Sequence, residues 1–283
     1  MSTALFWHRR DLRIQDNAGL YKALKNNEAV IPVFIFDHSI LQVLPKNDQR
    51  VLFIHQELAK IKAQYRSLGS DIEVLYGDPK VEIPALAQKY RAQKVYTNRD
   101  YEPKAIARDQ FIFEALQQVN IEFIGAKDQV IFEKKEVLTG QGGVFSVFTP
   151  YKNAWLKKLR PEDLAAQVCF QSASQVEQLA PIPPALQGNI PTLESMGFLP
   201  SDITSLLPMG ASGARQLLKE FLPRMSRYSS SRDYPSVKGP SYLSTHLRFG
   251  KISIRTLVRE AHQRMLGGDL GASTWLSELI WRD

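Results

Sequence analysis

Short apolar runs alternate with amphipathic stretches over the first 125 residues. The runs Ala4–Trp7, Val30–Phe36, Ile72–Tyr76, Lys94–Thr97 and Ile121–Ile124 predict five buried strands. The stretches between them carry a helical period. Ile54, Leu58, Ile61, Tyr65 and Leu68 fall on one stripe that Gly69 stops. A second helix begins after Pro103, a favoured first-turn residue, with Ile106, Phe113 and Leu116 on its stripe. Strict alternation of strand and helix predicts an α/β domain over residues 1–130, with a doubly wound five-stranded parallel sheet and right-handed crossovers.

From about 126 the periodicity fades, and Pro150, Pro161, Pro181, Pro183, Pro184, Pro191 and Pro200 punctuate the chain. This reads as an extended linker over 131–205 that wraps the first domain, with local helix around Asn153–Leu159. Gly140–Gly143 reads as a plain loop. The pattern then becomes helical over 206–283. Ala214, Leu217, Leu218, Phe221 and Met225 form one stripe; Ile254, Leu257, Val258, Ala261 and Met265 form another, capped by Ser253 and stopped by Gly267-Gly268.

Ligands of an open parallel sheet collect beyond the C-terminal ends of its strands. The residues there are His8-Arg9-Arg10-Asp11, Asp37-His38, Gly77-Asp78 and Asn98 through Glu102, a rim rich in charge. No G-x-G-x-x-G or Walker loop stands among them, so a nicotinamide dehydrogenase is not supported. The net charge of +7 fits a polyanionic partner, or a basic surface serving solubility. A single cysteine, Cys169, precludes a disulfide framework within the chain, and no apolar run approaches a membrane span. The five histidines have no ligand spacing, so no metal is expected. A cytoplasmic monomer is the expectation.

Near the end, Trp275, Glu278, Trp281 and Arg282 recur at helical spacing, close to one face. Such a stripe could stack on a flat heterocycle and hydrogen-bond its edge. Alternatively Trp275, Leu276 and Leu279 are core, and Glu278 with Arg282 is a solvated i,i+4 pair. No cap follows Trp281, so the chain is expected to break off inside a helix. Between the helical stripes, the hydroxyls of Ser241, Ser244 and Thr245 suit either a pyrophosphate cradle or a Ser-rich turn capping a helix.

Longer motifs resolve these alternatives. Phe6-Trp-His-Arg-Arg-Asp-Leu-Arg-Ile-Gln-Asp-Asn17, Val147-Phe-Thr-Pro-Tyr-Lys-Asn-Ala-Trp155, Tyr228 through Gly250 and Trp275 through Asp283 resemble, in order, the signatures of the DNA photolyase/cryptochrome family. The likeness is greatest to the bacterial class I photolyases. The resemblance implies a Rossmann-like antenna-binding domain, a linker, and the first, incomplete part of an all-α FAD-binding domain. It implies FAD at Tyr228, Ser241, Leu243, Ser244, Trp275, Glu278 and Arg282, with Glu278 and Trp281 lining the cavity for a flipped lesion. Pro240 and Thr245 depart from the family's usual Thr and Pro; Pro240 removes a hydroxyl and an amide donor.

The implied activity is light-driven repair of cyclobutane pyrimidine dimers in UV-damaged DNA by an electron from reduced FAD; a glutamate at Glu278 resembles the dimer-repairing branch. The alternative is a cryptochrome-type photoreceptor without repair. Leu44, Lys104 and Ala105 replace the residues of the bacterial folate site, whereas Arg10, Phe34, Arg50, Asp100, Glu102 and Arg248 resemble the deazaflavin pattern. An 8-hydroxy-deazaflavin-like or flavin antenna is therefore expected over folate. Asp100 and Glu102 could instead simply pair with Arg10, Arg50 or Arg99. With the flavin domain incomplete, Leu217, Phe221, Leu257 and Met265 are expected to be partly exposed, FAD to bind weakly, and repair to be absent from the 283-residue chain.

Overall fold

The computed structural model describes residues 2–181, 188–200 and 207–283. Pro183, Pro184 and the expected start of the helical part at 206 lie outside the described residues. The five strands are β1 (Thr3–His8), β2 (Ala29–Asp37), β3 (Glu73–Gly77), β4 (Lys94–Asn98) and β5 (Glu122–Ala126). They form one sheet in the order β3-β2-β1-β4-β5, and every pairing is parallel.

Helices α1 (Ala18–Asn26), α2 (His38–Leu41), α3 (Gln49–Ser67), α4 (Pro79–Lys89) and α5 (Pro103–Gln117) connect the strands. Side chains alternate across the sheet, as the two-residue strand period requires. Phe6, Val30, Phe34 and Phe36 pack with α1 and α3 on one face, while Leu5, Trp7, Ile31, Val33 and Ile35 pack with α4 and α5 on the other. The α3 stripe is as expected: Leu58, Ile61 and Tyr65 are buried. The α5 stripe is not. Its core side is Ala105, Ile112 and Leu116, whereas Ile106 and Phe113 face outward. Only one flank of that helix meets the sheet and α4, and its register places Phe111 and Phe113 beyond it.

The stretch read as linker contributes to both cores. It contains α6 (Phe148–Lys158), which begins earlier than the Asn153 expected, and a short α7 (Ala173–Glu177). Leu179 runs beside β2, where Val30 N–H donates to Gln178 O at 2.7 Å and Ala180 N–H to Val30 O at 2.9 Å. Ile131, Phe132, Trp155 and Leu164 instead join the helical core.

That core is built on α8 (Gly210–Phe221), α9 (Tyr228–Ser231), α10 (Ser244–Arg248), α11 (Ile254–Leu266) and α12 (Leu270–Ile280). Ser253 caps α11 by accepting the Arg255 N–H, and Gly267 closes it. The expected exposure of its apolar stripes is corrected here. Leu217, Phe221 and Leu257 are buried, and only Met265 is half-buried. Trp155 of α6 and Trp275, Leu276 and Ile280 of α12 share their cluster. The linker's aromatic residues supply cover that the periodicity of α8 and α11 alone does not reveal.

The two layers are joined by buried ions. Asp128 accepts from Arg13 at 2.7 Å and from Arg255 at 2.9 Å, and Arg255 also meets Asp16. Burial opposes the charge on Asp128, but the two guanidiniums outweigh it and hold its carboxyl below the usual range. No helix among the described residues is long and apolar enough to cross a membrane.

Candidate functional site

The C-terminal ends of β1, β2, β3 and β4 open into a cleft of about 720 Å³. That volume lies within the range of small-molecule sites. All six residues of the deazaflavin pattern line it: Arg10, Phe34, Arg50, Asp100, Glu102 and Arg248. Leu44, Lys104 and Ala105, at the folate positions, line it too.

Phe34 and Phe36 meet edge to face at 5.0 Å and form an apolar wall. The polar wall is an ion-pair chain. Arg10 Nη1 donates to Asp100 at 3.3 Å and to Glu102 at 2.8 Å, and Arg248 donates to Glu102 at 2.9 Å. Asp100 and Glu102 therefore do pair with Arg10 in the cleft lining, the Asp100 side chain buried and Glu102 exposed at the rim. Arg50 is held instead by Asp48 and Arg99 by Glu133. Because Arg10 follows β1 and Arg248 belongs to α10, Glu102 ties the α/β layer to the helical one.

Trp7, Arg9 and Arg108 also line the cleft; the sequence placed Arg9 on the charged rim but missed Trp7 and Arg108 as lining residues. The Arg9 and Arg108 guanidiniums lie 4.7 and 4.9 Å from the Trp7 ring centroid, and both bind Asp109. Burial pulls the Arg9 guanidinium below its ordinary range, with Asp109 opposing. The charged rim after β1 was a signal for Arg9. Nothing local placed Arg108 at the cleft, because Trp7 and Asp37, which hold it there besides its neighbour Asp109, come from distant strands.

The second set gathers on the helical layer. Trp275 is buried against Phe221, with ring centroids 4.8 Å apart, and Phe221 meets Tyr228 edge to face at 5.8 Å. Glu278 is half-buried and accepts from Arg232, whose guanidinium lies 5.6 Å from the Tyr228 ring centroid. Arg282 donates to Leu247 O at 3.2 Å and Gln129 O at 3.4 Å. Burial, then nearby Arg10, holds its guanidinium below the ordinary range. Leu243 is buried, while the Ser241 hydroxyl accepts from the Leu243 N–H and Ser244 opens α10 in an exposed position.

The expected common stripe on α12 divides. The helix ends at Ile280, Trp275 turns into the core, and Trp281 stacks on Phe148 at 3.9 Å and 8°, remaining 63% exposed. Trp281 keeps the helical bond from its N–H to Ser277 O, but six residues of helix turn it about 120° away from Trp275, which is why the spacing misplaced it. Tyr228 and Ser241 are half-buried and Ser244 is exposed, so hydroxyls of the kind a dinucleotide needs are accessible on the helical layer, while Trp275 and Leu243 belong to its core. No group of three or more His, Cys, Asp or Glu among the described residues is placed to hold a metal.

The sequence profile of the DNA photolyase family matches residues 4–169, and the chain belongs to that family. It is 35% identical over 99% of its length to a deoxyribodipyrimidine photo-lyase of Synechococcus sp., covering 58% of that protein. Identity to the Escherichia coli deoxyribodipyrimidine photo-lyase is 32% over 100% of this chain and 59% of the relative. The chain thus spans less than two thirds of these relatives. It covers 98% of an uncharacterized 31.6 kDa protein from another Synechococcus strain, at 33% identity over 99% of its own length. Among solved structures, a class III photolyase from Agrobacterium tumefaciens shares the fold with a TM-score of 0.83 at 24% identity, over 100% of this chain and 57% of the other. An archaeal photolyase from Sulfolobus tokodaii, solved with two FAD molecules, gives a TM-score of 0.76 at 27% identity, over 99% and 58%.

Proposed function

We propose, against the expectation of a chain without repair, whose premise of exposed stripes fails because Leu217, Phe221 and Leu257 are buried, that the chain works in light-driven repair of cyclobutane pyrimidine dimers in DNA, with a deazaflavin or flavin antenna in the cleft and FAD against the helical layer. The observation that carries this reading is the convergence of Arg10, Phe34, Arg50, Asp100, Glu102 and Arg248 on one cleft of about 720 Å³ at the strand ends. Its apolar wall suits a fused ring. Its ion-pair chain offers acceptors and donors to a polyhydroxylated tail. Folate is disfavoured because Leu44, Lys104 and Ala105 stand at its usual contacts.

When bound, reduced FAD supplies the excited electron that opens the dimer's cyclobutane ring. The chain's residues hold the reactants. Tyr228, Ser241, Leu243, Ser244, Trp275, Glu278 and Arg282 form the flavin's wall. Trp281 offers a stacking face to an extruded pyrimidine, an interaction worth roughly 1–3 kcal/mol per base. Glu278 hydrogen-bonds the pyrimidine edge once its Oε1 is released by Arg232 Nη1, which holds it in this structure. The net charge of +7 favours the approach of DNA. The same reading places the protein in the cytosol as a monomer.

Light-dependent loss of dimers from UV-treated DNA, with and without added FAD and pigment, tests the proposal. Flavin-dependent photochemistry without dimer loss would favour the photoreceptor reading instead.

A further inference from the structure

Trp7, one residue before the end of β1, belongs to the cleft lining yet is only 1% exposed. Charge lies against it. The guanidiniums of Arg9, just after β1, and of Arg108, on α5, stand 4.7 and 4.9 Å from its ring centroid, and both arginines line the cleft themselves. Asp109 holds both, and Asp37 at the end of β2 meets Arg108 at 3.7 Å. Three elements thus converge to set two cations on one indole.

Stability alone is a weak reason for this arrangement. Burial first, and then the nearby Arg108, opposes the charge on Arg9, with Asp109 working the other way. The indole N–H meets no acceptor among the described residues, so no hydrogen bond explains where the ring sits. The rest of the lining supplies a second reason. Its other aromatic rings are Phe34, Phe36 and Phe249, and among the described residues it holds no tyrosine, methionine or cysteine. Phenyl rings are hard to oxidise. Trp7 is therefore the one readily oxidised side chain in the wall, and it is the one under the two guanidiniums.

An excited flavin-type ring is a strong one-electron acceptor. An indole in the wall of its site can give it an electron, becoming a radical cation while the pigment is reduced by that electron. The electron then returns and the light energy is lost as heat. Cations against the indole oppose the first step, because they raise the energy of a positive charge on the ring, most of all in a wall with little water. We propose that Arg9 and Arg108 insulate the cleft, keeping Trp7 from quenching a pigment bound there so that its excitation survives to be passed on. Both are positioning residues, since they act through Trp7. This rests on the reading of the cleft as the antenna site.

The test binds flavin mononucleotide to the chain and records its fluorescence decay. The component that Arg10→Glu removes belongs to the cleft. Arg108→Gln should shorten that component by at least about threefold, as a small drop in the barrier to electron transfer requires. Transient absorption should then show the indole radical cation. Trp7→Phe in the Arg108→Gln background should restore the wild-type lifetime. Arg108→Lys, which keeps the charge and leaves the core untouched, should stay close to wild type, and it decides the matter even where the Trp7 variant fails to fold. An unchanged lifetime in Arg108→Gln, a shortened one that Trp7→Phe does not restore, or a lysine variant as short-lived as the glutamine one overturns the inference and leaves the cleft assignment standing. A decay with no component that Arg10→Glu removes overturns the cleft assignment and this inference together.

Discussion

The Asp283 carboxylate accepts the indole N–H of Trp155 at 2.6 Å. Between them they join the residue after the last turn of α12 to the centre of α6, and the same carboxylate accepts the N–H groups of Ile131 and Phe132. Burial pushes the Asp283 carboxyl up to about 6, against the pull of those three donors. A raised folded value sets the sign: the contribution of Asp283 is full below the unfolded value near 4 and declines as pH rises through about 6. The stability difference between wild type and Asp283→Asn should therefore fall between pH 4 and pH 7, by on the order of 2 kcal/mol. Urea unfolding at several pH values measures it; a difference that grows with pH would contradict the assignment.

Asp128 tests the bond between layers. Asp128→Asn leaves Arg13 and Arg255 buried without their shared carboxylate, and both guanidiniums are only 6% exposed. The expected loss is about 3–5 kcal/mol, the range for breaking a buried pair. Since the folded value of Asp128 is depressed, its contribution is present above the unfolded value and is lost as acid takes pH through the folded one. Thermal unfolding should show a lower midpoint for the variant and a smaller acid-induced drop.

Glu102 separates binding from stability. Its side chain is 53% exposed, so its bonds to Arg10 and Arg248 contribute little to folding, about 0–1 kcal/mol. Glu102→Gln should leave the melting temperature almost unchanged and weaken pigment uptake, measured as pigment absorbance per chain. A large loss of stability with pigment affinity retained would make Glu102 a structural residue only.

Trp281 is mostly exposed and stacks on Phe148. Trp281→Ala should cost the fold little, yet weaken binding of dimer-containing DNA about tenfold, in line with loss of one base stack. Gel-shift titrations with damaged and undamaged duplexes measure it. Equal loss on both would assign Trp281 to general DNA contact instead.

Three antenna residues were legible because strand ends are legible. Arg10 follows β1 and Asp100 and Glu102 follow β4, so the strand pattern placed these three; Phe34, Arg50 and Arg248 were found through likeness to the family's deazaflavin pattern. What the chain hid is long-range pairing. Trp155 and Asp283 are 128 positions apart, and Trp155 lay in a stretch read as linker. Arg108 sits on the α5 face that the apolar period assigned wrongly, because Ile106 and Phe113 mark that helix's outer side. The flavin residues were found through motif likeness. Spacing alone merged Trp275 and Trp281, which lie six residues and so about 120° apart around the helix.

The central claim, that the cleft at the strand ends holds a flavin-type antenna, is tested most directly by offering the purified chain 8-hydroxy-5-deazaflavin, flavin mononucleotide and methenyltetrahydrofolate and measuring pigment per chain. To keep FAD at the helical layer from being counted, the measurement is made alongside an Arg10→Glu variant, which reverses the charge opposite Asp100 and Glu102. The account predicts about one deazaflavin or flavin per wild-type chain, little uptake by the variant and no tight folate binding. Tight folate binding without flavin-type uptake, or equal uptake by the variant, would contradict it.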